Sequence, residues 1–237
     1  PVGLPNASPG KHVLGTVPVE ADGSAYFRVP AGLPVAFQAL DARGMAVQVM
    51  RSIVYLQRGE VASCAGCHEG RMTAPSRRVA AEALSRPPSK IEPGPPGSRP
   101  LSYPLLVQPV LDAHCVKCHS GPEPRKGVVL TGEPQGHYTC SYNALAPRVT
   151  WSAWGGRGGD FRKVNCEPVS RPGFFGARGS PLMQMLLKGH NDVALSVKEI
   201  ERLATWMDAN ALFYGTFDPE SQQRQQRGER IAMPRVQ

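Results

Sequence analysis

Residues 106–120 read LVQPVLDAHCVKCHS. An apolar run with helical spacing leads into Cys115-Val116-Lys117-Cys118-His119, a C-x-x-C-H pentapeptide. The pentapeptide also occurs upstream, as Cys64-Ala65-Gly66-Cys67-His68 in the stretch SCAGCHEG, residues 63–70. Two thiols at this spacing can add to the two vinyl groups of a porphyrin, and the following histidine can then ligate its iron; this is the attachment pattern of c-type haem. The main rival is one zinc ion held by four thiolates. It leaves both histidines unexplained and must join cysteine pairs separated by a proline-rich stretch. Thioredoxin-like redox chemistry requires a βαβ context that the sequence lacks. Two covalent haem c groups are therefore expected, on Cys64 and Cys67 and on Cys115 and Cys118, with His68 and His119 as proximal iron ligands.

Outward from the motifs, the fold class reads as α+β: a small antiparallel β domain, then a mostly helical, loop-rich, cytochrome c-like domain. In residues 12–57 apolar and polar side chains alternate, with turn signals at 21–23, 30–32 and 42–44, which predicts three to five strands. The expected units are a β-rich domain over 1–59, a first haem-attachment segment over 60–86 with a short helix at 76–86, and a proline-rich extended linker over 87–104. A cytochrome c-like domain follows over 105–216, then a polar tail over 217–237. Within 105–216, residues 120–179 are glycine-rich and aperiodic and read as loop. Helices are predicted at 180–189 and 196–215. The second opens on Ser196 with Glu199 three residues on, a capping-box pattern, and its stripe is Ile200, Leu203, Ala204, Met207 and Ala211.

The iron's sixth position decides what such a protein does. A histidine or methionine there favours electron transfer, and an open position permits ligand chemistry. His190 sits between the two clearest helices and is the expected distal ligand of the second haem. His114 adjoins Cys115 and cannot easily cross its own porphyrin. It and His12 are therefore candidates for the first haem or for a haem in a neighbouring subunit. His137 has less to recommend it. Met72 lies too close to His68 in sequence to cross the porphyrin plane without a tight wrap.

Cys140 and Cys166 remain. Thioether haem attachment belongs to oxidising, exported compartments, where spare thiols pair. A Cys140–Cys166 disulfide is expected, and on the chain-entropy model it would stabilise the fold by about 3 kcal/mol. The chain begins with proline and shows no signal-peptide pattern, so a processed chain or a piece of a longer one is expected, in the periplasm or outside the cell. No apolar run reaches membrane-spanning length. The net charge of +8 reads as a solvated basic surface that haem propionates would partly offset. Arginines scattered away from aromatics argue against nucleic-acid binding.

The run LGTVPVEADGSAYFRVPAGLPVAFQALDARGMAVQVMRS, with CAGCHE, PVLDAHCVKCH, GHNDVALS and WMDANALFYG, resembles the haem-bearing part of the hydrazine synthase alpha subunit and related planctomycete-type multihaem c-type cytochromes. The resemblance implies a strand-rich region packed beside the first haem and a bis-histidine second haem, on His119 and His190. In hydrazine synthase a tyrosine four residues after the first motif histidine serves the active-site iron. Here that position is Met72, and the zinc-linked cysteine of the enzyme has no counterpart. These departures favour an electron carrier with redox-protein partners, open to homo-oligomer or polymer formation. A haem oxidoreductase of nitrogen compounds with an open first haem is the alternative, and a binding module built on the strands is a third reading.

Overall fold

A computed structural model describes residues 1–5, 8–50, 52–66, 80–151 and 171–233. Its elements are small antiparallel strand pairs and seven α-helices among the described residues, an α+β arrangement.

Strands β1 (Pro34–Val35) and β4 (Val54–Tyr55) pair with each other, as do β2 (Gln38–Leu40) and β3 (Ala46–Val49), with an irregularity between Ala39 and Leu40. The β2–β3 connection is set by Asp41, whose Oδ1 accepts hydrogen bonds from the backbone of Arg43 (2.9 Å) and Met45 (3.0 Å). Gly44 there takes φ 72°, which a side chain would resist.

The alternation over residues 12–33 does not become ladder. This stretch instead makes isolated bridges, Thr16 with Glu92 and Phe27 with Ser89. Pro18 and Pro30 donate no hydrogen bonds, and the Asp22–Gly23 turn breaks the run. Its partner is the proline-rich segment 87–104, which sequence alone presents as a free extended linker. That segment is packed: Val13 N donates to Ser98 O at 2.9 Å, and Leu101 is fully buried. Residues 76–79 lie outside the described set, and a single 3₁₀ turn, Glu82–Ser85, stands where the rest of the short helix at 76–86 was expected.

The core is helical. It is built by α1 (Tyr103–Leu106), α2 (Gln108–His114), α3 (Cys140–Leu145), α4 (Gly176–Gly179), α5 (Pro181–Lys188) and α6 (Val197–Asp208). Tyr103 is its centre, with ring centroids 5.1 Å from Tyr142, 5.1 Å from Trp206 and 5.4 Å from Phe213. The first two are edge-on and the third is stacked; such aromatic pairs add about 0.5–1.5 kcal/mol each beyond the area they bury. Val2 and Met45 join the same buried cluster, so the strand region and the helices share one core.

Three elements stand where the sequence reads as loop: α3, α4, and the hairpin of β5 (Pro134–Gln135) and β6 (Tyr138–Thr139). Their anchors are polar. Gln108, buried, donates to Leu130 O (3.1 Å) and accepts from Ser141 Oγ (2.6 Å). Asp208, buried, accepts from Ala46 N (2.8 Å) and Ala177 N (2.7 Å), tying β3 and α4 to the end of α6.

Helix α6 stops at Asp208 rather than continuing to 215. Asn210 and Ala211 take φ 75° and 50°, and the reversal is held by Tyr142 Oη donating to Ala211 O (2.7 Å) and Trp206 Nε1 donating to Leu212 O (3.0 Å). Part of the polar tail is docked on the core. Asp218 caps α7 (Pro219–Gln226), accepting from Ser221 N at 2.8 Å. Buried Gln225 donates to Leu101 O (2.9 Å) and accepts from Gly215 N (3.2 Å).

Candidate functional site

The second C-x-x-C-H motif grows from the end of α2. Cys115 is the helix's C-cap, its N–H donating to Leu111 O. The next residues keep turning: Cys118 N and His119 N both donate to Cys115 O at 3.1 Å. The motif is thus a compact turn that sets both thiols and the imidazole at one helix end. Burial pushes the Cys115 thiol pKa up, and nearby Cys118 adds to the effect.

His119 is oriented by the loop that follows. Arg125 N donates to Cys118 O (3.1 Å), and Leu130 N donates to His119 O (2.8 Å). Its Nδ1 lies 3.1 Å from Val128 O. A protonated Nδ1 donating to that carbonyl leaves Nε2 as the lone-pair nitrogen, which is how a metal-ligating histidine is fixed in tautomer and orientation.

The other half of the site is the reversal after α5. Gly189, Asn191 and Asp192 take φ 97°, 45° and 62°, and Val193 N donates to His190 O at 3.0 Å. This tight turn brings His190 opposite His119: ring centroids are 6.2 Å apart and the planes differ by 18°. Two imidazoles sharing one iron, at roughly 2 Å from iron to each nitrogen and roughly 1 Å more to each ring centre, give a centre-to-centre distance of roughly 6 Å. The residues fit a bis-histidine haem iron, with Cys115 and Cys118 as thioether donors. On the exposed side, His190 Nε2 has a long contact, 3.4 Å, to Asn191 Nδ2.

His114 is placed otherwise. Its Nε2 lies 2.7 Å from Glu199 Oε1, so one ring nitrogen of this candidate ligand is engaged by a carboxylate of its own chain. The other Glu199 oxygen accepts from Ser196 N (2.8 Å) and Ser196 Oγ (2.7 Å), completing the capping box of α6. These Ser196 hydrogen bonds, then His114, pull the Glu199 carboxyl down to about 2. Glu199 is legible in sequence as a cap. Its grip on His114 joins residues 85 positions apart and gives no local signal. Nor does the Val128 carbonyl, a backbone group.

His12 sits where Val13 and Leu101 tie residues 11–13 to 98–101. Its Nδ1 is buried without a hydrogen-bond partner among the described residues, and burial, then nearby Arg99, lowers its pKa. His137 is exposed. In the first motif Cys64 is exposed, whereas Cys67, His68 and Met72 lie outside the described residues. Cys166 also lies outside them, and Cys140, half-buried, bonds to no described cysteine.

Residues 4–69 match the family described as the hydrazine synthase alpha subunit middle domain. Over these residues the chain is similar to that domain. The solved structure of Kuenenia stuttgartiensis hydrazine synthase is similar over 83% of this chain and 32% of its own, with 20% identity and a TM-score of 0.48. The chain therefore spans about a third of that one. No curated protein matches it. No helix among the described residues is long and apolar enough to cross a membrane.

Proposed function

We propose that the chain is a hydrazine synthase alpha-related c-type cytochrome that carries electrons, with two haem c groups. One would be held by Cys64, Cys67 and His68, the other by Cys115, Cys118, His119 and His190. The observation that carries this reading is the near-parallel His119–His190 pair at 6.2 Å. A haem c would supply one-electron chemistry when bound, and His119 and His190 would both hold its iron, which favours electron transfer over substrate binding. The protein's part is orientation. The Val128 carbonyl holds His119, the Gly189–Val193 reversal presents His190, and the α2 end fixes the thiols. Thioether attachment implies an exported protein, periplasmic or extracellular, and a carrier implies redox-protein partners, including further copies of the chain.

A second reading, oxidation or reduction of a nitrogen compound at an open first haem, is favoured by the hydrazine synthase alpha match over residues 4–69. Electron paramagnetic resonance of the ferric holoprotein separates the two. Low-spin signals for both irons, unchanged by cyanide, are expected for the carrier. A high-spin signal that cyanide abolishes would replace the carrier reading with the enzyme. Absence of any covalently bound haem would remove both.

A further inference from the structure

The segments that build the His119–His190 site carry an excess of exposed positive charge. Lys117 lies inside the motif turn. Arg125 and Lys126 lie on the loop whose backbone holds Cys118 and His119. Lys188 precedes His190 by two residues, and Lys198 adjoins Glu199, the partner of His114. Two residues of chain span at most about 7 Å, so Lys117 and Lys188 lie close to the paired imidazoles. All five cations are exposed, and none forms an ion pair with a described residue. The exposed acids of the same segments are Asp112, Glu123 and Asp192, which leaves the positive charges in excess. Elsewhere some arginines are neutralised locally, Arg224 and Arg227 on Glu229 and Arg86 on Glu20, while exposed Arg43, Arg58 and Arg148 stand singly on separate segments. Exposed apolar side chains adjoin two of these cations in the chain: Leu187, 43% exposed, precedes Lys188, and Val197, 82% exposed, precedes Lys198.

An apolar centre with a charged rim is the anatomy of a transient protein interface, and a one-signed rim steers a partner of opposite sign. We infer that the surface around Lys117, Arg125, Lys126, Lys188 and Lys198 is the docking face for an acidic redox protein that exchanges electrons with the second haem. This rests on the carrier reading above. The charge excess raises the rate of encounter more than the affinity, because exposed pairs are screened and weak once formed. Docking there also shortens the path, since these residues belong to the loops that hold the iron's ligands.

The test uses the holoprotein, with reduced flavodoxin as an acidic protein donor and hexaammineruthenium(II) as a small cationic donor, in stopped-flow reduction. Lys117→Glu/Lys126→Glu is compared with Lys90→Glu/Arg58→Glu, which makes the same change in net charge at exposed positions on other segments. The first pair is expected to slow reduction by flavodoxin about tenfold or more at low salt, with the difference vanishing near 0.5 M salt. The second pair is expected to change it less than threefold, and neither should slow hexaammineruthenium. Equal slowing by both pairs would show a global charge effect and overturn the docking face. So would a salt-independent wild-type rate. A shifted second-haem potential with unchanged flavodoxin kinetics would assign the lysines to the haem propionates instead. Failure of the wild-type haems to accept electrons from either donor would sink the carrier reading itself, which none of the preceding outcomes does.

Discussion

His119 and His190 hold their imidazole rings 6.2 Å apart and within 18° of parallel, although they lie 71 positions apart (119 to 190) in the sequence. The two rings are delivered by unrelated devices. One is a helix-end turn with a carbonyl behind the ring. The other is a reversal of left-handed residues after α5. Removing one ring therefore leaves the other in place. On the proposed bis-histidine reading, the haem of His190→Ala should stay covalently attached through Cys115 and Cys118, and its iron should become high-spin and able to bind carbon monoxide. His190→Met keeps the iron six-coordinate and raises its potential. Absorption spectra of the ferric and ferrous protein check both. An unchanged low-spin spectrum in His190→Ala would show that some other group fills the position.

Glu199 joins two structures through one carboxylate, the cap of α6 and the histidine beside Cys115. Its pKa is pulled down to about 2, below the ordinary glutamate value, so the folded state holds the proton less tightly than the unfolded one. That stabilisation is present above the unfolded pKa of roughly 4.3 and is lost as pH falls towards 2. Glu199→Gln should flatten the acid limb of the stability curve. Ser196→Ala, which removes the cap and one of the hydrogen bonds to the Glu199 carboxylate, should cost about 1 kcal/mol. If Glu199→Gln leaves the acid limb as steep as in the wild type, the network is not the acid-sensitive element.

Asp208 has the opposite sign. Burial raises its carboxyl to about 6, against two backbone donors that lower it. The folded state binds this proton more tightly than the unfolded one, whose pKa is roughly 3.9. Its contribution is therefore fully present below roughly pH 4 and is lost as pH rises through 6. Denaturant titrations of the wild type between pH 4.5 and 7 should show stability falling across this window. Asp208→Asn should remove that fall. It should also lower stability by about 1–3 kcal/mol, because the amide NH2 that replaces one carboxylate oxygen cannot accept, so either Ala46 N or Ala177 N loses its partner. A pH-independent difference between the two proteins would refute the assignment.

What was legible in the sequence was local. The Ser196–Glu199 cap needs four residues, and the apolar stripe of α6 needs one face of one helix, so both are read directly and both occur. The C-x-x-C-H turn and the His190 turn are local too, but their meeting is not encoded in any window. Residues 12–33 misled because alternation announces a strand without naming its partner. Here the partner is a proline-rich segment that makes single bridges instead of a ladder. The buried polar hubs Gln108, Asp208 and Gln225 gave no signal, since a lone glutamine or aspartate reads as surface. Each is buried because several stray backbone groups meet at one point and need a partner there.

Gln225 gives the sharpest test of that last point. Helix α7 has no apolar stripe, and its attachment rests on amide hydrogen bonds: Gln225 to Leu101 and Gly215, and Gln226 to Gly136 O and Tyr138 O, both at 3.1 Å. Gln225 is 1% exposed. In Gln225→Ala the Leu101 carbonyl and the Gly215 amide lose their partner inside the fold, a cost of about 1–3 kcal/mol. Gln226→Ala leaves its carbonyls nearer solvent and should cost less. Thermal unfolding of both variants against the wild type checks the order. Hydrogen exchange should show α7 opening before the aromatic core in Gln225→Ala, because the helix has little else to hold it. Equal losses in the two variants would mean that α7 is held by its backbone and cap, and not by the buried amide.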